Sequence, residues 1–330
     1  MKNSVFTSLC FLCLVLVLSG CSVDNDVSQF KLNPNQSNID LGLRGQMAGS
    51  GATSQKNSID AWKLGYNAYY PNISVAYDPK GSGGGRKDII SGASIFAASD
   101  KLLSDEEIKL SKSVCGSNGV IQIPTYISKI EIIFNLDNIK SLSLDNKTIT
   151  AIFSGKITNW SDSLIKLQNP QINLPNKLIT VVRRSDDSGT NDTLTSFFSK
   201  TDESLWQWGE TSSWPSSIAS LSQGAQGTAG VVIVSSLGDG TISYADSAQV
   251  GTLGVVAMDN PIMQISYMLA CSHYNDIIAG QFVKSWLGYI ISKSGQELSH
   301  NVSNSMVLND SQTNQAKKDI DSITIGKENV

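Results

Sequence analysis

The segment 178–190 reads Leu178-Ile179-Thr180-Val181-Val182-Arg183-Arg184-Ser185-Asp186-Asp187-Ser188-Gly189-Thr190, and its grammar sets the fold class. The first five residues are apolar or β-branched and make a strand that reads as buried. That strand runs straight into a polar turn carrying a hydroxyl and a glycine, and a helix follows through Phe197. Upstream, Ile59, Trp62, Tyr66 and Tyr69 recur at three- and four-residue spacing and give one apolar face of a helix, which Pro71 stops. Residues 73–77 alternate as a strand, a glycine-rich stretch at 81–85 precedes a short helix around 87–90, and a strand at 94–98 ends on Ser99-Asp100. Beyond Pro124 the run 129–136 is a strong strand, and 149–153 starts a helix with Gly155 and Trp160 near its end. Downstream, 228–237 reads as helix, 241–244 as strand, 261–269 as an apolar block, and 282–291 as a helix with Trp286 on its apolar face. The tail after His300 is polar and weakly patterned. Strands alternating with helices predict an α/β fold whose sheets carry parallel strands covered by helices.

The first residues point to export. Lys2 supplies a basic start, residues 5–18 are an apolar run, and Leu18-Ser19-Gly20-Cys21 follows. A basic start, a short apolar core and small residues describe a secretory signal over 1–20, too short for a comfortable membrane span. The quartet resembles a bacterial lipobox, in which Cys21 is acylated and becomes the new N-terminus. An ordinary signal peptide with a free Cys21 thiol is the alternative. Residues 21–40 are rich in Ser, Asn, Asp and Gln and read as a flexible tether. The expected location is the extracytoplasmic face of a cell membrane, held by lipid.

The hydrophobic fraction of 40% and charged fraction of 16% are those of a chain able to bury a core. A net charge of −4 argues against nucleic acid, whose phosphate backbone requires clustered Lys and Arg. Beyond the signal segment and Cys21 only Cys115 and Cys271 remain, and the sequence leaves open a disulfide or two buried thiols.

Three short elements place a hydroxyl and glycine just before a predicted helix: 49–54, 81–85 and 188–190. A helix N-terminus offers unpaired N–H groups and partial positive charge, so it can hold an anion by backbone geometry. Any one of them alone is more often an ordinary cap with a turn glycine. Arg184 cannot lose its proton and forks onto oxyanions, and Asp186 is placed to brace it. A solvated surface ion pair is the bland alternative for those two. Asp100 by itself repels most anions.

Gly-Ser-Gly-Ala-Thr at 49–53, Gly-Ser-Gly-Gly-Gly at 81–85, Phe-Ala-Ala-Ser-Asp at 96–100, Ile-Phe-Ser-Gly-Lys-Ile-Thr-Asn-Trp at 152–160 and Val-Val-Arg-Arg-Ser-Asp-Asp-Ser-Gly-Thr at 181–190 resemble the phosphate-binding proteins of bacterial phosphate ABC transporters. Order and spacing agree from about Gly49 to Tyr244. Ser54 and Ala97 depart from the residues more usual there. The resemblance implies a two-lobed, hinged, periplasmic-binding-protein-like fold, each lobe a mixed sheet flanked by helices. Lobe I would comprise 41–128 plus 256–330, and lobe II 129–255. Carried over by position, the phosphate contacts are Thr53, Ser54, Ser82, Asp100, Arg184, Ser188, Gly189 and Thr190, with Asp186 supporting. The implied partners are inorganic phosphate and the permease subunits of an ABC importer; the protein would act as a monomer without cofactor or metal.

Asp100 then acquires a role. Phosphate near neutral pH keeps a proton, which a buried carboxylate can accept, whereas sulfate would present a bare lone pair to it. Sulfate and molybdate are the rival ligands that Asp100 disfavours; arsenate carries a proton and is not excluded. A phosphate-ester hydrolase is the rival from another class. Only His273 and His300 are present, neither in a metal-spaced cluster, and no base accompanies Ser188. A surface adhesin on the same scaffold is a third reading, left open by the loose C-terminal match.

Overall fold

A computed structural model describes residues 43–327. The expected signal peptide, Cys21 and the tether to residue 40 lie outside the described residues. The chain opens with β1 (Gly45–Gly51), α1 (Lys56–Tyr69), β2 (Ile73–Asp78), α2 (Ser82–Ser91) and β3 (Phe96–Ser99). β1 pairs in parallel with β2 on one side and β3 on the other, so α1 and α2 are crossover helices. α1 buries Ile59, Trp62 and Tyr66, the face its spacing predicts. α3 (Asp105–Cys115) starts on a capping box in which Ser104 and Glu107 satisfy each other's backbone N–H.

β4 (Val120–Asn135) then leaves the first lobe and enters the second. There follow β5 (Ser141–Ser143), α4 (Asn146–Phe153), α5 (Ser163–Gln168), β6 (Thr180–Arg184), α6 (Gly189–Thr201), β7 (Ser222–Ala225), α7 (Gly227–Leu237), β8 (Thr241–Asp246) and β9 (Gly254–Ala257). β6 lies parallel to β7 and to β8, repeating the arrangement around β1. β10 (Ile262–Cys271) returns antiparallel along β4 over most of its length. β11 (His273–Tyr274), α8 (Ile277–Ile290), α9 (Lys293–Ser303), α10 (Asp310–Asp321) and β12 (Thr324–Ile325) complete the described chain. The main sheet runs β2-β1-β3-β10-β4-β8-β6-β7, so β10 and β4 are the only continuous strands joining the parallel sets among the described residues.

Two separate apolar cores flank that pair. One gathers residues from Met47 to Tyr126 and from Met268 to Ile323, including Trp62 and Trp286. The other gathers residues from Ile130 to Ile262, including Trp160, Trp206 and Trp214. Along β10, Ile262 belongs to the second core and Met268 to the first.

Several elements differ from their sequence reading. α2 begins at Ser82 rather than near Lys87, although glycines normally weaken a helix. A Cβ on Gly85 would lie 2.6 Å from Gly51 Cα, so this helix needs glycine to pack on β1. The helix at 149–153 ends there instead of starting, with Asp145 as its cap. β4 continues through Pro124 because the register of β10 shifts between Ser266 and Tyr267, skipping Thr125 at a bulge where a missing N–H is tolerated. The tail after His300 carries the end of α9 and all of α10; α10 buries only Ala316 and Ile320, too few to give a clear period. Cys115 and Cys271, left open by the sequence, are joined as a disulfide that ties the end of α3 to the end of β10.

Candidate functional site

The carboxyl ends of parallel strands from both lobes face one another, and each of four helices begins there. α1 follows β1, α2 follows β2, α6 follows β6 and α7 follows β7. In open α/β sheets this is the edge where ligands bind. α1, α2 and α7 have no acidic residue of their own in the first turn; the start of α7 instead receives Asp186, whose Oδ1 accepts from the Gly227 N–H at 3.0 Å. α6 has Asp192, which is ion-paired with Lys101 of the other lobe.

Asp100, the residue after β3, is the hub. Its backbone N–H donates to Ser82 Oγ (3.0 Å) at the start of α2. Its carboxylate accepts from Ser54 Oγ (2.7 and 2.8 Å), Ser266 Oγ on β10 (2.7 Å) and, from lobe II, Thr190 Oγ1 (3.3 Å). Burial raises the Asp100 carboxyl above its ordinary value, although these hydrogen bonds and the charge of Arg184 pull the other way. Three hydroxyls aimed at it make the group an acceptor, and it is 7% exposed. Gly189 sits directly against it: a Cβ there would lie 2.6 Å from Asp100 Cβ and 2.8 Å from Ser82 Oγ. The N-terminus of α6 thus reaches the floor of lobe I only because residue 189 has no side chain.

Arg184 ends β6 and is 2% exposed. Its Nε donates to Asp186 Oδ1 at 2.8 Å, and its Nη2 pairs with Asp186 Oδ2, a two-point fork that fixes the guanidinium plane. Burial pushes the Asp186 carboxyl up, but the hydrogen bond and charge of Arg184 outweigh it and leave it below its usual value. Nη1 is 3.5 Å from Thr228 Oγ1, the outer limit of a hydrogen bond, so this edge of the fork is the more weakly held. The Arg184 N–H donates to Tyr244 OH (2.9 Å), and that hydroxyl donates in turn to Asn191 in the first turn of α6.

The third group joins the lobes at their other corner. Thr53 and Thr228 share a hydroxyl hydrogen bond of 2.9 Å, and the Thr228 N–H donates to Thr53 Oγ1 (3.1 Å). Gln249 Nε2 donates to the carbonyls of Thr53 (3.0 Å) and Ser54 (2.7 Å). Ser188 caps α6, accepting from Asn191 N–H at 3.2 Å.

Thr53, Ser54, Ser82, Asp100, Arg184, Gly189 and Thr190 therefore come together where the two sets of strands meet, with Asp186 beside Arg184 and Ser188 at the cap of α6. The sequence reading missed Thr228, Ser266 and Gln249 as members. Gln226-Gly227-Thr228 has the same glycine-hydroxyl pattern before a helix and could have been found; Ser266 and Gln249 have no local signal. Arrangement and chemistry suit a small tetrahedral oxyanion: hydroxyls, helix N–H groups and one weakly held guanidinium edge as donors, with a single buried acceptor. Among the described residues no cluster of three or more His, Cys, Asp or Glu could hold a metal ion.

A profile of the PBP superfamily domain matches residues 38–294. The chain belongs to that superfamily. Among proteins similar to this PBP superfamily member is phosphate-binding protein PstS 3 of Mycobacterium tuberculosis, 27% identical over 333 aligned positions that cover 87% of this chain and 90% of that one. Phosphate-binding protein PstS of Xylella fastidiosa is 32% identical over 253 positions, covering 74% of this chain and 66% of its own. Among solved structures, a phosphate-binding protein from Stenotrophomonas maltophilia shares the fold with a TM-score of 0.67 at 19% identity, over 83% of this chain and 94% of that one.

Proposed function

We propose that this chain binds inorganic phosphate between its lobes and passes it to an ABC importer. The observation that carries the reading is Asp100, one buried acceptor set among donors from both lobes. A fully ionised oxyanion would suit a site made of donors alone. A carboxylate at its centre favours an anion that brings a proton. Charge-assisted hydrogen bonds contribute roughly 1.5–3 kcal/mol each. Six or seven of them give about 10–20 kcal/mol before desolvation and closure, against about 8 kcal/mol for micromolar affinity. Relatives covering most of the chain are named as phosphate-binding proteins, which supports the same ligand.

Ligand capture is the whole activity in this reading. Neither histidine is near the cleft chemistry: His273 pairs with Thr324 and Asn275, and His300 with the Ser305 carbonyl. Ser188 spends its oxygen on the helix cap. Cys21 carries the lipid that holds the protein at the outer membrane face, and among the described residues no helix is long and apolar enough to cross a membrane. A monomer docking on permease subunits completes the proposal.

Calorimetric titration of phosphate-stripped protein with phosphate, sulfate and arsenate tests it. One phosphate per chain at micromolar affinity or better, competed by arsenate and not by sulfate, is the expected result. Release of product from a generic phosphate ester would replace transport with hydrolysis.

A further inference from the structure

The glycine-rich turn of α2 has a second face, turned toward lobe II. There the loop between β6 and α6 lays Asp187 across it. The Gly83 N–H donates to the Asp187 carbonyl at 3.1 Å. A Cβ on Gly83 would fall 2.3 Å from Asp187 Cγ and 2.5 Å from Asp187 Cβ, so the side chain occupies the space that glycine leaves. One turn further along α2, Arg86 is 4% exposed and directs Nη2 to Asp187 Oδ2 at 3.4 Å. Glu107 of α3 holds the same guanidinium through Nε at 2.9 Å. Arg86 Nη1 and Asp187 Oδ1 are buried, and no hydrogen-bond partner for either lies among the described residues.

These contacts differ in kind from those at Asp100. Asp187 follows Asp186, the brace of Arg184, but its carboxylate lies against Gly83 and pairs with a different arginine. A carboxylate there adds nothing to anion capture. It joins the lobes only when they are together, because Gly83 and Arg86 belong to lobe I and Asp187 to lobe II. The fit is also steric: turning the carboxylate away would not relieve a Gly83 side chain, since the clash already begins at Asp187 Cβ.

We propose that Asp187 is a positioning residue for closure, seated in the Gly83 notch and held by Arg86, and that it slows escape of the bound anion without touching it. The inference rests on the reading of the cleft as a closing phosphate site. It implies that residue 83 must be glycine because of residue 187, and that the requirement is reciprocal.

The test uses the mature chain with inorganic phosphate, measuring association and dissociation rates by stopped flow and the radius of gyration by solution scattering. A partly exposed pair of this type slows release modestly, so Asp187→Ala should release phosphate about two- to fivefold faster with unchanged association. Gly83→Ala should weaken binding about tenfold or more and enlarge the phosphate-loaded particle, because the overlap opposes closure. Alanine favours a helix more than glycine, so the fold itself is not endangered. Adding Asp187→Gly to Gly83→Ala should restore both affinity and compactness to those of Asp187→Gly alone. Wild-type affinity in Gly83→Ala, or no rescue by the second substitution in a folded protein, would overturn the closure role. Failure of the wild-type protein to bind phosphate would instead remove the functional reading beneath it.

Discussion

Asp100→Asn separates recognition of a protonated anion from simple capture of negative charge. In the native site both carboxylate oxygens accept: Oδ1 from Ser54 and Ser266, Oδ2 from Ser54 and Thr190. The carboxylate is 7% exposed, so solvent does little to soften a mismatch. Phosphate can donate its hydrogen to this group; sulfate must set a lone pair against it. An unpaired buried polar contact costs about 1–3 kcal/mol. Asparagine is nearly the same shape but replaces one acceptor by a donor. Phosphate then loses its acceptor while sulfate gains a donor, and the two changes move the affinity ratio in one direction. One such increment corresponds to about a five- to 150-fold loss of phosphate-over-sulfate discrimination. The serines at 54 and 266 can rotate to satisfy the amide, so the fold should survive. Calorimetry with both anions on wild-type and variant protein at one pH reads the ratio. Equal weakening of both anions, leaving discrimination intact, would refute the reasoning.

Further outcomes follow from other contacts. Arg184→Ala removes a buried donor and leaves Asp186 ionised without its partner, so phosphate affinity should fall at least about a hundredfold in the same titration, with loss of stability besides. Asp246 is fully buried at the end of β8, beside Tyr126 OH (3.0 and 3.1 Å), and burial first, then the charge of Asp100, raise its carboxyl to about 7 despite opposing hydrogen bonds. The folded state therefore holds this proton more tightly than the unfolded chain, and the resulting stability is shed as the pH climbs from about 4 to about 7. Asp246→Asn should remove a pH-dependent penalty of about 4 kcal/mol, so denaturant melts should show it gaining on the wild type between about pH 4 and about pH 7; a constant gap would count against it. Cys115→Ser opens a 156-residue loop, and urea melts should register a loss of about 2–5 kcal/mol that reductant reproduces in the wild type.

What could be read in advance follows from where the information lies. The run into Arg184 and Ser188-Gly189-Thr190 is legible because a buried strand, a turn and a helix start impose three different residue chemistries within thirteen positions. The cleft residues are legible for a related reason: sites built on backbone N–H groups leave glycine and hydroxyl residues as their trace. Ser266 could not be found so. It is one serine in an alternating strand, and only the antiparallel return of β10 beside β3 brings it to Asp100. Gln249 reaches Thr53 and Ser54 across 196 and 195 positions of sequence, a distance no local pattern spans. The glycines at 83 and 85 misled for the opposite reason. Their type suggests a loop, but each is glycine because another part of the chain comes close, and the helix runs through them. Pro124 likewise sits at a bulge inside β4, which begins at Val120 and not at 129, where the sequence pattern starts.

Diffraction from crystals grown with phosphate tests the central claim most directly. The account predicts one tetrahedral anion between the lobes, with an oxygen within about 3 Å of the Asp100 carboxylate and others within the same reach of Ser82, Arg184 and the α6 N-terminus. Density at any other place, or an anion held by one lobe with Asp100 turned away, would contradict it.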